Sequence, residues 1–154
     1  MLCVCRAGQK GCYFTKYIED RRIYLPWEGY EYDLSQYNSL EDFRPIVAEE
    51  KQTDNRTSIS NWSGQLFAFV KQMQIGDYVM IPSASSQFYV LARITGDYEY
   101  QASDGLRHSR SIELMKEDIS RTVFSQGIQY SLGAYRTVFQ PRYEEEIVKT
   151  ILAL

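Results

Sequence analysis

The chain has 154 residues, 44% of them hydrophobic, which predicts one globular domain over residues 1–154 with a buried core. A net charge of −3 argues against binding to nucleic acid through bulk positive charge. The charge is uneven, and six arginines within residues 90–142 permit a local basic face. The thirteen tyrosines indicate either a binding surface or a tyrosine-rich sheet face, since tyrosine both stacks and favours strands.

In the first half of the chain, apolar spacing favours helices between short strands. The pattern Ser39-x-x-Asp42 predicts a capped helix start, and an apolar face through Trp62 and Leu66 predicts a helix that ends before Gly76. In chain order we expect a strand at 1–8, a helix at 12–22, a strand at 23–27, an aromatic loop at 28–37, a helix at 39–51, a polar loop or cap at 53–60 and a helix from 59 to 75.

In the second half of the chain, strands dominate. "GDYVMIPSASSQFYVLARI" predicts a hairpin, and an Asp-Gly pair at 104–105 predicts a second turn between strands. The expected elements are strands near 77–82 and 87–95, a strand, turn and strand over 98–115, a polar connector at 116–127, a strand at 135–141 and a C-terminal helix within 141–154. The predicted fold class is α+β, with a small, mostly antiparallel curved sheet or open barrel and helices packed at its ends.

The titratable and metal-ligating residues give little support for catalysis. Cys3, Cys5 and Cys12 are odd in number and His108 is the single histidine, so we expect no metal, no cofactor and reduced, buried cysteines in a cytoplasmic protein. Nucleophile-elbow, phosphate-loop and dinucleotide motifs are absent, and no apolar run is long enough to cross a membrane. The sequence therefore predicts a protein that is not an enzyme, with a reaction through Cys12 or His108 as the alternative.

The order of several segments carries a family resemblance. "RAG", a strand that ends in Trp27, "GDYVMIP", "ITGDYEY" and "DISRTVFSQGIQYSLGAYRTVF" follow one another. Over about residues 2–140 the chain resembles the N-terminal domain that precedes Mrr-type restriction endonuclease domains, and that domain is similar to the PUA-like/EVE-like superfamily of nucleic-acid readers.

The resemblance implies a small barrel that flips one base, often a modified one, into an aromatic pocket. It implies DNA more than RNA as partner, and a role as the sensor of a prokaryotic restriction or defence system. The 154 residues contain no segment that matches the endonuclease domain, so we expect either a stand-alone reader or a partner of a separately encoded nuclease or ATPase. An RNA-binding PUA-like module, or a domain that binds a protein or small ligand, are the alternative readings.

A flipped base needs aromatic walls and a few hydrogen-bonding groups. Trp27 is the favoured wall, with one of Tyr98 and Tyr100 expected to face the same pocket, and Asp97 is a candidate acceptor for an exocyclic amine. The full set of base-pocket candidates is Trp27, Tyr30, Trp62, Asp97, Tyr98 and Tyr100. Phosphate oxygens are bound by the forked guanidinium of arginine and by hydroxyl and amine donors. The phosphate-binding candidates are Arg6, Lys10, Arg107, Ser109, Arg110 and Arg121.

Overall fold

The computed structural model describes residues 1–103 and 105–154, so the Asp-Gly turn expected at 104–105 lies partly outside the described residues. The described chain forms a sheet of seven strands with five α-helices. In chain order these are β1 Leu2–Cys5, α1 Phe14–Asp20, β2 Arg22–Tyr24, α2 Leu40–Lys51, α3 Arg56–Phe67, β3 Tyr78–Pro82, β4 Phe88–Ile94, β5 Glu99–Tyr100, β6 His108–Ser120, α4 Gln126–Leu132, β7 Val138–Phe139 and α5 Glu144–Leu152.

The sheet is mixed and strongly curled into a half-barrel, which confirms the α+β fold class. Its strand order is β2-β6-β4-β3-β1-β7, and β5 also pairs with β6. Strands β1 and β3 are parallel, whereas the other pairs are antiparallel. The start of β6 pairs with β2 and β5 and its remainder pairs with β4, so this one long strand joins both parts of the curled sheet.

Hydrophobic side chains are buried on both faces of the sheet. Strand β1 is an example. Its four residues are all buried, and their side chains alternate between the two faces of the sheet. Cys3 and Cys5 belong to the inner core, under α1, α2 and α3, whereas Leu2 and Val4 belong to the outer core, under α4 and α5. The prediction of buried cysteines is therefore correct for Cys3 and Cys5 and wrong for Cys12, which is an exposed thiol in the loop after β1.

The local sequence signals place several elements correctly. Ser39 and Asp42 form the predicted capping box, in which each side chain accepts from the other's backbone N–H. The predicted hairpin is present as β3 and β4, paired antiparallel. The polar segment 53–60, predicted to be a loop or a helix cap, contains the cap: Asn55 accepts a hydrogen bond from the Ser58 N–H, and α3 begins at the next residue, Arg56.

Other boundaries differ from the predictions. Strand β6 continues to Ser120 and so occupies part of the expected polar connector. Few side chains in its second half are buried, so its sequence there is polar and does not indicate a strand. Helix α4 was not predicted, because it has only seven residues and two buried apolar positions. After α3 the backbone widens into a π-helical turn, Ala68–Gln72, in which the Met73 N–H bonds to the Ala68 carbonyl.

Within the described ranges, no helix combines the length and the apolar character needed to cross a lipid bilayer.

Candidate functional site

A cavity of about 630 Å³ opens where four segments of the chain meet. These segments are the loop after β1, the residues after β2, one side of α3 and the loop before β7. The turn between β3 and β4 closes the rim. The lining residues are Arg6, Gly8, Gln9, Lys10, Pro26, Trp27, Asn61, Trp62, Gln65, Ala84, Ser86, Tyr135, Arg136 and Thr137.

Two tryptophans form the aromatic part of the wall. The ring centroids of Trp27 and Trp62 lie 4.6 Å apart with an interplanar angle of 77°, an edge-to-face arrangement. Both side chains are half-buried and both line the cavity. The indole Nε1 of Trp27 donates a hydrogen bond to the Thr137 hydroxyl, 3.0 Å away, which fixes the orientation of the ring.

Gln65 of α3 holds the segment that carries Thr137. The side-chain oxygen Oε1 of Gln65 accepts two hydrogen bonds, from the backbone N–H groups of Thr137 and Val138, each at 3.0 Å. Its amide nitrogen lies 3.4 Å from Oδ1 of Asn61, one turn earlier on the same helix. A buried glutamine thus connects α3 to the entry of β7, and through Thr137 to Trp27.

A third ring stands at the cavity mouth. Tyr135 is 89% exposed. The guanidinium carbon Cζ of Arg6 lies 5.9 Å from its ring centroid. Arg6 also has a buried Nε that finds no hydrogen-bond partner within the described chain. Together, Arg6 and Tyr135 offer a planar cation and a ring beside the tryptophan pair.

The lining is positively charged in a protein of net negative charge. Arg6, Lys10 and Arg136 line the cavity, and none of the lining residues is acidic. None of these three cations has an ion pair with a residue that the structure describes, whereas other basic residues are paired, as in Arg22–Glu99 at 2.6 Å. Unpaired cations in a concave, partly apolar surface concentrate positive potential there.

The shape of the rim depends on a close backbone approach. Gly11 has a φ of +67°, and a Cβ at this position would lie 2.6 Å from the Cα of Ala84. Only glycine combines that conformation with that contact. The loop after β1, which carries Lys10, is therefore pressed against the turn between β3 and β4.

Lys51 covers the tryptophan pair from outside the cavity. Its Nζ lies 3.9 Å from the ring centroid of Trp62 and 5.8 Å from that of Trp27. Lys51 is not one of the lining residues. This cation–π contact stabilises the rings by about 0.5–1 kcal/mol at an exposed site.

The structure brings four of the predicted site residues together. Trp27, Trp62, Arg6 and Lys10 all line the cavity, although they come from distant parts of the sequence. Tyr30 does not line it, because its ring is buried behind Trp27 at a centroid distance of 6.1 Å.

The predicted tyrosines after β4 form a separate cluster around His108. The ring centroids of Tyr98 and Tyr100 lie 5.8 and 5.3 Å from that of His108. The prediction that only one of the two tyrosines faces the site is wrong. Both rings face the same way, because residues two positions apart share a face of a strand. Asp97 is exposed beside this cluster, and none of these side chains lines the cavity.

The predicted phosphate contacts of β6 also lie elsewhere. Arg110 is 2% exposed, and its guanidinium donates to the carbonyl oxygens of Phe69, Met73 and Gly96, so it cannot serve a phosphate. Ser109 is buried and accepts a hydrogen bond from Arg22.

The remaining two phosphate candidates lie at the surface, outside the cavity. Arg107 pairs with Glu31 at 3.4 Å. Arg121 begins the 3-10 turn after β6, and its backbone N–H donates to Gln87.

Sequence reasoning missed Gln65, Tyr135, Arg136 and Thr137. Three of them lie in "SLGAYRTVF", a segment that carries the family resemblance and whose pattern predicts a strand at 135–141. The sequence feature that could have indicated these three residues is a consecutive aromatic, basic and hydroxyl residue just before a short strand.

A family model for a domain of unknown function, DUF8426, matches residues 5–140. The chain belongs to the DUF8426 family. Neither a curated protein nor a solved structure matches the chain. The matched range extends from the end of β1 to just beyond β7, so it includes every residue that lines the cavity.

Proposed function

We propose that this DUF8426 protein is a non-catalytic reader of nucleic acid, which takes one flipped base into the cavity that Trp27 and Trp62 line. One observation carries the proposal: two tryptophans line the same cavity as three cations that have no ion pair with a described residue, and none of the described lining residues is acidic. An aromatic wall binds the face of a base, and a cationic rim binds the phosphates that accompany it.

The size of the cavity is consistent with this ligand. A volume of about 630 Å³ falls within the ~300–1,000 Å³ typical of small-molecule sites. Stacking of a base on an aromatic side chain contributes about 1–3 kcal/mol. The polar groups of Asn61, Ser86 and Gln9 line the same space and are of the type that hydrogen-bonds a base edge.

A modified DNA base is the proposed target. An added methyl group is poorly hydrated in water and packs well against an aromatic ring, so an aromatic cavity favours the modified base over its plain counterpart. The resemblance to the domain that precedes Mrr-type endonucleases supports the same choice. On that basis the protein acts as the sensor of a restriction or defence system, and a separately encoded nuclease or ATPase supplies the effector.

The test is a titration of the purified protein with short DNA that carries one 5-methylcytosine, 5-hydroxymethylcytosine or N6-methyladenine. Plain DNA and RNA of the same sequence are the controls. We expect the tightest binding to one modified DNA, and weaker binding as salt rises. Equal, salt-independent binding of all probes would indicate a protein or small-molecule ligand instead, and tighter binding to RNA would indicate an RNA reader.

A further inference from the structure

A second cavity of about 330 Å³ lies beside the first, on the other side of Arg136. It is formed between α3 with its π-helical turn and the strands β1 and β7. Its lining residues are Met1, Cys3, Ser60, Asn61, Gly64, Ala68, Gln72, Arg136, Val138, Phe139 and Gln140. Asn61 and Arg136 line both cavities.

The helical wall of the second cavity follows from residue spacing. Ser60, Gly64, Ala68 and Gln72 are four residues apart and so form one row along the helix. The two middle members are small, so their side chains leave the space between this row and β7 unfilled. A Cβ built on Gly64 meets no atom of the described residues within 4 Å, so the helix face has no packing partner among them at that position.

The polar groups of the second cavity suit a base edge. Gln72 and Gln140 are exposed, and each amide can both donate and accept hydrogen bonds. Asn61 uses its oxygen to accept from Gln65, and its amide nitrogen remains available as a donor. Amide side chains of this kind form bidentate contacts with bases.

The shared cation connects the two spaces. Arg136 is exposed, has no ion pair within the described residues and lines both cavities. In a nucleic-acid strand, one phosphate joins two consecutive nucleosides. Two cavities that share one arginine therefore match two nucleosides that share one phosphate, with the guanidinium fork on the phosphate oxygens.

We propose that the second cavity binds the nucleotide next to the flipped base, so that the protein takes up two consecutive nucleotides of one strand. This inference rests on the proposed function. In a duplex the neighbouring base remains stacked and paired, so the second cavity is filled only by single-stranded nucleic acid. The protein should consequently prefer a single strand over a duplex that contains the same modified base.

The test fills the second cavity and leaves the first intact. In Gly64→Leu, a side chain enters the open space on the helix face, and leucine favours a helix more than glycine does. The probes are single strands and duplexes of identical sequence with one 5-methylcytosine, 5-hydroxymethylcytosine or N6-methyladenine, and with each of the four bases beside it. Gly64→Ala is the matched control for the change of backbone residue.

We expect the wild type to bind the single strand at least about fivefold more tightly than the duplex, and to distinguish the neighbouring base, because each good bidentate contact discriminates by this amount or more. Gly64→Leu should lose that advantage and keep the duplex affinity, whereas Gly64→Ala should keep both. Gln72→Ala and Gln140→Ala, at exposed positions, should reduce the preference for the neighbouring base without affecting folding.

Equal binding of single strand and duplex by the wild type would overturn the inference while leaving the base reader in place. The same conclusion follows if Gly64→Leu, Gln72→Ala and Gln140→Ala all retain the full single-strand advantage and the wild-type neighbour preference. If Gly64→Leu does not fold, the two glutamine variants decide by themselves. A wild type that binds none of these probes would overturn the proposed function as well.

Discussion

The hydroxyl of Tyr98 lies 2.6 Å from Nδ1 of His108, at the centre of a buried chain of hydrogen bonds. Nε2 of the same imidazole lies 2.8 Å from the carbonyl oxygen of Tyr30, which can only accept, so Nε2 carries the proton and Nδ1 accepts from Tyr98. The Tyr98 oxygen in turn accepts from the backbone N–H of Leu34, at 3.1 Å. All the partners are satisfied when His108 is neutral.

This network predicts a loss of stability in mild acid. Burial lowers the pKa of His108 in the folded protein, and the positive charge of Arg107 lowers it further, while the Tyr30 carbonyl acts in the opposite direction. Below about pH 6.5 the unfolded chain binds a proton at His108 that the folded protein does not, so the stability falls as the pH falls. From pH 7 down to pH 5.5 we expect the free energy of unfolding to fall by up to about 1.4 kcal/mol per pH unit.

Urea denaturation across this pH range provides the measurement, and His108→Gln provides the control. A glutamine amide can donate to the Tyr30 carbonyl but does not titrate. The variant should be less stable than the wild type at pH 7 and should show a flatter pH dependence. Parallel curves for the two proteins would mean that His108 does not cause the acid sensitivity.

Arg110 is predicted to stabilise the fold rather than to bind a ligand. Its guanidinium donates to the carbonyl oxygen of Met73 at 2.7 Å, and to those of Phe69 and Gly96 at 3.2 Å. Phe69 lies near the start of the π-helical turn, Met73 follows its end, and Gly96 lies in the loop after β4. We expect Arg110→Ala to reduce the free energy of unfolding by about 2–5 kcal/mol, because two buried carbonyls and one partly buried carbonyl lose a charged donor.

Arg107, three positions along the chain, is the matched control. It forms a surface ion pair with Glu31, and such pairs contribute about 0–1 kcal/mol. Arg107→Ala should therefore change the urea midpoint little. Arg110→Lys should recover only part of the loss, since an ammonium group cannot replace a planar fork. An Arg110→Ala protein of wild-type stability would contradict this account.

The parts of the fold that depend on local pattern were predictable from the sequence. The capping box at Ser39 and Asp42 and the hairpin of β3 and β4 each follow from a few neighbouring residues. His108 and Arg110 lie two residues apart on β6, but the sequence contained no sign that both side chains would be buried. Whether an arginine faces solvent or the end of a helix depends on tertiary packing.

The candidate site was predictable residue by residue but not as an arrangement. Trp27 and Trp62 could be singled out as aromatic residues beside a strand end and on a helix. Their contact requires β7 to lie at the sheet edge next to β1, so that Thr137 reaches Trp27 and Gln65 reaches Thr137. Such long-range pairing depends on the whole fold, and it cannot be predicted from the sequence of any single segment.

The cations of the cavity are expected to control the salt dependence of binding. If Arg6, Lys10 and Arg136 each neutralise one phosphate, log K should fall with log salt concentration with a slope of about −2 to −3. Replacement of any one of them by glutamine should flatten the slope by about one unit and weaken modified and plain DNA equally. Titrations at several salt concentrations test this. Arg142→Gln, away from the cavity lining, is the control that should leave the slope unchanged.

The Thr137 hydroxyl is expected to orient Trp27. Thr137→Val keeps the shape of the side chain but removes the acceptor 3.0 Å from the indole nitrogen. We expect a loss of affinity of about twofold to tenfold, the value of one hydrogen bond, together with a change in tryptophan fluorescence. Thr137→Ser, which keeps the hydroxyl, should behave like the wild type. If valine and serine variants bind alike, this hydrogen bond has no influence on the site.

The decisive variants for the base cavity are Trp27→Ala and Trp62→Ala. Each removes a stacking surface worth about 1–3 kcal/mol, which corresponds to a loss of roughly 5- to 150-fold in affinity. Both should also reduce the preference for modified over plain DNA, because the rings contact the added group. Tyr100→Ala is the control: this ring lies against His108, outside the cavity, so the variant should keep wild-type affinity and preference.

Trp27 and Trp62 also pack against the inner core, so their removal affects stability as well as binding. Trp27→Phe and Trp62→Phe retain an aromatic face and most of the packing, and should therefore fold and keep part of the affinity. Circular dichroism of each variant separates the two effects. If the folded alanine and phenylalanine variants bind as tightly as the wild type while Tyr100→Ala loses affinity, the base site lies at the His108 cluster and not in the cavity that the tryptophans line.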